Sequence, residues 1–178
     1  MLEKFDIDLK ANEVDDKTFT YSLDDSFFAA IEAQDIKSGQ VDATVLVKKH
    51  SASFELNMYV NGYVTIQCDR CLDDMKQPVE AESMLKVKFG PSYLDEGDDL
   101  IIVSEEEGII NVAWFLYELI ALSIPIQHTH ELGECNEEMM KILKEHSGQY
   151  QDSGDGDNTK DSLVDPRWNG LKELINNN

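Results

Sequence analysis

Ser53-Phe-Glu-Leu-Asn-Met-Tyr-Val60, then Asn61-Gly62, then Tyr63-Val-Thr-Ile-Gln-Cys68, is the stretch on which the fold turns. Phe54, Leu56, Met58 and Val60 alternate with more polar neighbours, and Val64, Ile66 and Cys68 do so again after the glycine. A period of two marks a strand with one buried face. Asn-Gly supplies the positive φ angles of a type I′ turn, so these residues predict a β-hairpin over 53–68. The hairpin delivers Cys68 at its end and Cys71 in the turn after it, the way many zinc knuckles present two ligands.

Further strands surround this one. Phe5, Ile7 and Leu9 alternate with Asp6, Asp8 and Lys10, and Thr18–Leu23 repeats the pattern. Asp24, Asp25 and Ser26 offer N-caps for a short helix carrying Phe27, Phe28 and Ile31. Val41–Val47 is rich in β-branched residues, and Leu85, Val87 and Phe89 mark a strand stopped by Gly90-Pro91. Residues 91–107 read as an acidic loop interrupted by Leu100-Ile-Ile-Val103. Val112, Phe115, Leu116, Leu119 and Ile120 then recur at helical spacing up to Pro125. A second helix over about 135–146 has Met139, Met140, Ile142 and Leu143 on one side. The expected class is α+β: an antiparallel β-rich core with 53–68 at its centre, an amphipathic helix near 112–122, and short helices toward the C-terminus.

Three segments follow from this pattern. Residues 1–146 read as a single α+β domain. Residues 147–162 are acidic and polar, cannot bury apolar area, and are expected to be a disordered linker. Over 163–178, Asp165-Pro166 resembles an N-cap and first helical residue, and Trp168, Leu171, Leu174 and Ile175 make one apolar face. That helix reads as a docking element, for its own domain or for a partner.

Charge limits the function classes. With 36 acidic and 15 basic side chains among 178 residues, the chain carries a net charge of −21, which disfavours nucleic-acid binding by the surface as a whole. No Lys or Arg falls between Lys88 and Lys141, whereas Lys37, Lys48, Lys49, Arg70, Lys76, Lys86 and Lys88 balance the acids of the preceding region. Any RNA-contacting face is expected there, with Lys48, Lys49, Tyr63 and Arg70 as contacts. No apolar run approaches the roughly 20 residues of a membrane span, and the N-terminus has no cationic-then-apolar signal. Three cysteines do not make a secreted disulfide framework. A cytoplasmic location is expected, with neither a membrane nor a small-molecule substrate as partner.

All three cysteines enter one candidate site. Cys68-Asp-Arg-Cys71 is answered downstream by His128-Thr-His130 and Cys135. Cys-x-x-Cys places two thiolates on one ion, and a His with a third Cys completes a closed tetrahedral zinc site. Cys68, Cys71, His130 and Cys135 are the first choice of ligands, with His128 as the alternative. Closing so long a loop costs a few kcal/mol, against about 10 kcal/mol or more from structural zinc. Two other readings stay open: a thioredoxin-type dithiol at Cys68 and Cys71, or cysteines that serve only as small buried hydrophobes. A dithiol of that type opens a helix, and this pair ends a strand. The chain carries no P-loop, GxSxG, HExxH or GxGxxG pattern, and a closed site leaves no open metal position for substrate. No enzymatic activity is expected.

Phe27-Phe28, Gly62 leading into Cys68-Asp-Arg-Cys71-Leu72, Glu118-Leu-Ile-Ala-Leu-Ser-Ile-Pro125, His130, Cys135, and Asp165-Pro-Arg-Trp168 with Leu171 and Leu174 together resemble the YceD family. This is the large ribosomal RNA subunit accumulation protein family, and the chain is similar to its Bacteroidetes-type members over nearly its whole length. The resemblance implies a non-enzymatic role in ribosome biogenesis, supporting accumulation or processing of large-subunit ribosomal RNA. It also favours His130 over His128, since many members carry a Cys there, five residues after the proline. Asn111 departs from the Asp common before the apolar helix, and the Cys-rich ending of other branches is absent. Combined with the charge, the implied partner is the large-subunit precursor, met through a basic ribosomal protein, ribosomal RNA or both. Direct RNA binding and dithiol redox chemistry are the alternative functions.

Overall fold

The computed structural model describes residues 2–11, 16–95, 97 and 100–147. The chain divides into two units at Leu143 and Lys144, and the first of them contains the sheet. Apart from Ser147, the expected linker at 147–162 and the docking helix at 163–178, with Trp168, Leu171 and Leu174, lie outside the described residues.

A 3-10 turn at Leu2–Phe5 leads into β1 (Asp6–Asp8), β2 (Lys17–Leu23), α1 (Asp25–Ala30) and β3 (Ser38–Lys49). Next come β4 (Phe54–Gln67), β5 (Asp74–Gly90), β6 (Leu94–Asp95), β7 (Leu100–Ser104), β8 (Ile109–Asn111), α2 (Ala113–Ser123) and α3 (Glu137–His146). Six strands form one sheet in the order β2-β3-β4-β5-β7-β6, and β1 pairs with β8 apart from it. All pairs are antiparallel except β5 with β7. The α+β class and the mostly antiparallel β core agree with the sequence reading.

The hairpin over 53–68 does not form. Phe54–Gln67 is one unbroken strand at the sheet's centre, with Gly62 opposite Val41 on one side and Val79 on the other. The phase of the apolar residues explains why. A two-residue turn at 61–62 would set Val60 opposite Tyr63 and give both the same face. Tyr63, Thr65 and Gln67 would then share the core side with Val60, and Val64 and Ile66 would point away. Instead the aliphatic and phenyl side chains from Phe54 to Ile66 are all even-numbered, and Phe54, Leu56, Met58, Val60, Val64 and Ile66 are all buried. Gly62 serves close strand approach. A Cβ there would lie 2.2 Å from the Gln40 carbonyl oxygen and 2.7 Å from Val41 Cα.

The actual turns lie outside that segment. His50 N–H donates to Ser53 O across the β3–β4 turn, and Cys68 N–H donates to Asp73 O across the β4–β5 turn. The Cys-x-x-Cys loop is thus itself a hairpin connection. Pro78 sits within β5 where, among the described residues, β4 is the only strand beside it, a position that tolerates the missing N–H. The loop expected at 91–107 also needs correction: Leu100–Ser104 joins the sheet beside β5 and buries Ile101 and Val103.

One face of the sheet is covered by α1, α2 and the β1–β8 pair. Phe27 and Phe28 from α1, Leu116 and Ile120 from α2, and Ile7 from β1 meet Val41, Val45, Leu56, Val60, Val64 and Val87 in one core. Burying each large side chain of this kind contributes about 1.5–3 kcal/mol. Asp24 caps α1, its carboxylate accepting from the backbone N–H of Ser26 and Phe27. Helix α2 matches the expected element, ends before Pro125, and buries Ala113, Leu116 and Ile120. Among the described residues, no helix is long and apolar enough to cross a membrane.

Asn111 acts as a clamp at the start of α2. Its Oδ1 accepts from Ala113 N–H at 3.0 Å, and its Nδ2 donates to Leu2 O at 3.0 Å and Asp6 Oδ1 at 2.5 Å. An Asp could keep the first bond but would lose both donations and face the Asp6 carboxylate. Asn111→Asp is therefore expected to cost about 1–3 kcal/mol, measured by urea unfolding. Unchanged stability would show that the amide donations contribute nothing.

Candidate metal centre

Three elements bring the site together. The end of β4 supplies Cys68, the turn supplies Cys71, and the segment between α2 and α3 supplies His130 and Cys135. The ligand atoms of these four residues lie within 4.8 Å of one another, and Cys71 Sγ is 3.3 Å from His130 Nδ1. Cys68 is completely buried, and Cys71 and Cys135 are buried too. Together with Met75, Met139 and Met140 they form a small apolar cluster separate from the main core.

Local backbone geometry explains how the loop presents its sulfurs. Leu72 adopts φ 64°, and its N–H donates to Cys68 O, turning the chain back into β5. The N–H groups of Arg70 and His130 each point at Cys68 Sγ, at 3.4 Å. Burial alone raises the Cys68 thiol pKa. The backbone donors of Cys71, His130 and Arg70 outweigh that effect and bring it down to about 6. His130 is raised, chiefly by its hydrogen bond with Cys68, and Cys135 is raised first by burial and then by the neighbouring sulfurs.

The two residues between the cysteines hold the distant half of the site. Asp69 Oδ2 accepts from His128 N–H at 2.8 Å, and Asp69 N–H donates to His128 O. Arg70 sends one guanidinium nitrogen to Thr129 Oγ1 at 3.4 Å and the other to Cys135 Sγ at 3.8 Å. Asn136 caps α3 through Glu138 and Met139 N–H, and its Nδ2 donates to Asp73 Oδ2. Asp69 and Asn136 were not singled out from the sequence, and Arg70 was assigned to RNA rather than to this site. The charged pair between the cysteines was the available signal, because outer partners of this kind commonly orient metal ligands.

The donor set fits zinc. Bonds of about 2.3 Å to sulfur and about 2.0–2.1 Å to nitrogen would put tetrahedral donors about 3.6–3.8 Å apart, between the 3.3 Å of the Cys71–His130 pair and the 4.8 Å within which all four ligand atoms lie. Three buried sulfurs and one imidazole make a closed structural set with no place for substrate. The first-choice ligands are the four that converge. His128 is engaged elsewhere: its Nδ1 is 3.0 Å from Pro125 O and its Nε2 is 3.4 Å from Asp69 Oδ1. All three thiols are free, and Cys68 and Cys71 connect two strands with no helix opening at either.

The residues proposed for RNA are not brought together. Lys48 and Lys49 stand opposite Glu55 and Phe54 and so fall on opposite faces of the sheet. Tyr63 is eight residues farther along β4, about 26 Å away, and its ring takes the Lys76 ammonium at 4.5 Å. Arg70 lies past that end, turned onto the sulfur cluster.

Residues 56–175 match the family model described as Large ribosomal RNA subunit accumulation protein YceD. The chain matches no curated protein and no solved structure.

Proposed function

Since the chain belongs to the YceD family, we propose that it is a non-enzymatic assembly factor that supports accumulation of large-subunit ribosomal RNA in the cytoplasm. The family match over 56–175 carries this reading. Structural zinc at Cys68, Cys71, His130 and Cys135 would clip the segment after α2 to the β4–β5 turn. Its contribution there is fixed geometry, with no open position for chemistry.

The partner is a basic ribosomal component. A chain at −21 with no Lys or Arg between Lys88 and Lys141 attracts cationic protein tails and repels phosphate. Shielding such a tail until it reaches the nascent subunit would link the charge to RNA accumulation. The test is a pull-down of the tagged chain from its native cells at near-physiological salt. Recovery of basic large-subunit proteins is expected, and binding is expected to fall steeply with added salt. Purified chain that retains ribosomal RNA at moderate salt and ignores basic ribosomal proteins would sink the proposal.

A further inference from the structure

Helix α2 carries apolar side chains on the side it buries and also on the side it does not. Ala113, Leu116 and Ile120 enter the core, while Trp114 is 52% and Leu122 86% exposed. A helix that is apolar all round is ordinarily covered on both sides. Trp114, Glu118 and Leu122 follow one another at i, i+4 and i+8, which makes one outward ridge.

The ridge is ordered and carries negative charge. Trp114 Nε1 donates to Glu118 Oε1 at 2.7 Å, and the Trp114 ring lies 5.3 Å from that of Tyr117. Glu118 is the only charged residue of α2, and no Lys or Arg occurs from residue 89 to 140. Anything that covers this ridge therefore meets aromatic faces, aliphatic tips and carboxylates. A second copy would bring the same negative charges together, whereas a cationic chain would neutralise them.

We propose that the α2 ridge is the docking surface for a lysine- and arginine-rich polypeptide segment that also carries apolar side chains. Its cations stack on Trp114 and pair with Glu118. Its apolar side chains cover Leu122. The inference rests on the reading above that the partner is basic, and it assigns that partner a place.

The test is a fluorescence-anisotropy titration of the full chain with a short labelled Lys/Arg-rich peptide containing Leu and Phe, at near-physiological salt. Glu118→Lys is expected to weaken binding about tenfold or more, and Leu122→Ser about fivefold. Glu82→Lys, on the opposite face of the sheet, makes the same change in net charge and is expected to alter binding less than about twofold. Leu122 is nearly free of contacts, so Leu122→Ser leaves the fold intact, as circular dichroism would verify. Equal weakening by Glu118→Lys and Glu82→Lys, with no effect of Leu122→Ser, would overturn the ridge while leaving a basic partner standing. No peptide binding alongside retention of ribosomal RNA would overturn both. Self-association lost in Leu122→Ser, without peptide binding, would give the ridge to a second copy and overturn the proposal.

Discussion

Cys68→Ser is expected to abolish stoichiometric zinc and to lower stability by about 3–5 kcal/mol, a fall of about 10 °C in Tm for a chain of this length. Cys68 is wholly buried and its sulfur receives N–H groups from both halves of the site, Arg70 and His130. A serine oxygen is shorter, prefers to stay protonated, and leaves three donors that no longer close a tetrahedral set. The damage should be local, because the sulfur cluster is separate from the core on the sheet. Far-UV circular dichroism should keep its strand signal, while amide exchange quickens over residues 128–143. Cys135→Ser should reproduce these effects. A dithiol built on Cys68 and Cys71 would be indifferent to Cys135, so unchanged Tm and metal content in Cys135→Ser would contradict the clip.

Gly62→Ala is expected to destabilise the fold by about 3 kcal/mol or more, whereas Asn61→Ala, at an exposed strand position, should change stability by less than about 0.5 kcal/mol. The added Cβ would lie 2.2 Å from a backbone oxygen of β3, and a backbone atom cannot swing aside as a side chain can. The centre of the sheet would have to part. An Asn-Gly turn would make both substitutions costly, since a type I′ turn needs positive φ at Asn61 as well as at Gly62. Urea unfolding of the two variants separates the cases: a cost for Asn61→Ala comparable to that for Gly62→Ala would contradict the continuous strand.

The same residues show what was legible in the sequence. The alternation from Phe54 to Ile66 announced a half-buried strand, and the buried positions are the ones it named. Asn61-Gly62 misled because the dipeptide is a strong local turn signal, while the uninterrupted even-numbered phase was the more global one. Strand pairing on both sides satisfies the backbone along the whole length of β4, and packing decided against the turn. Leu100–Ser104 was harder to read, since a short apolar run does not alternate and its place beside β5 depends on a non-local parallel pairing.

The members of the Cys/His cluster were legible because three cysteines and two nearby histidines leave few combinations. The choice of His130 rested on its spacing from Cys135, with four residues between them, and the family resemblance favoured it further. Its physical reason is in the fold, where Asp69 and the Pro125 carbonyl engage the His128 ring. The supposed RNA face failed to assemble for a similar reason. Lys48, Tyr63 and Arg70 are near in sequence, but a fully extended β4 separates them, and Arg70 belongs to the sulfur site.

X-ray absorption at the zinc edge, on full-length protein isolated from its native cells without added metal, tests the clip most directly. The expected spectrum has three sulfur scatterers at about 2.3 Å and one nitrogen at about 2.0–2.1 Å, with one zinc per chain. Metal-free protein with a Cys68–Cys71 disulfide, or zinc bound mainly by oxygen, would contradict it.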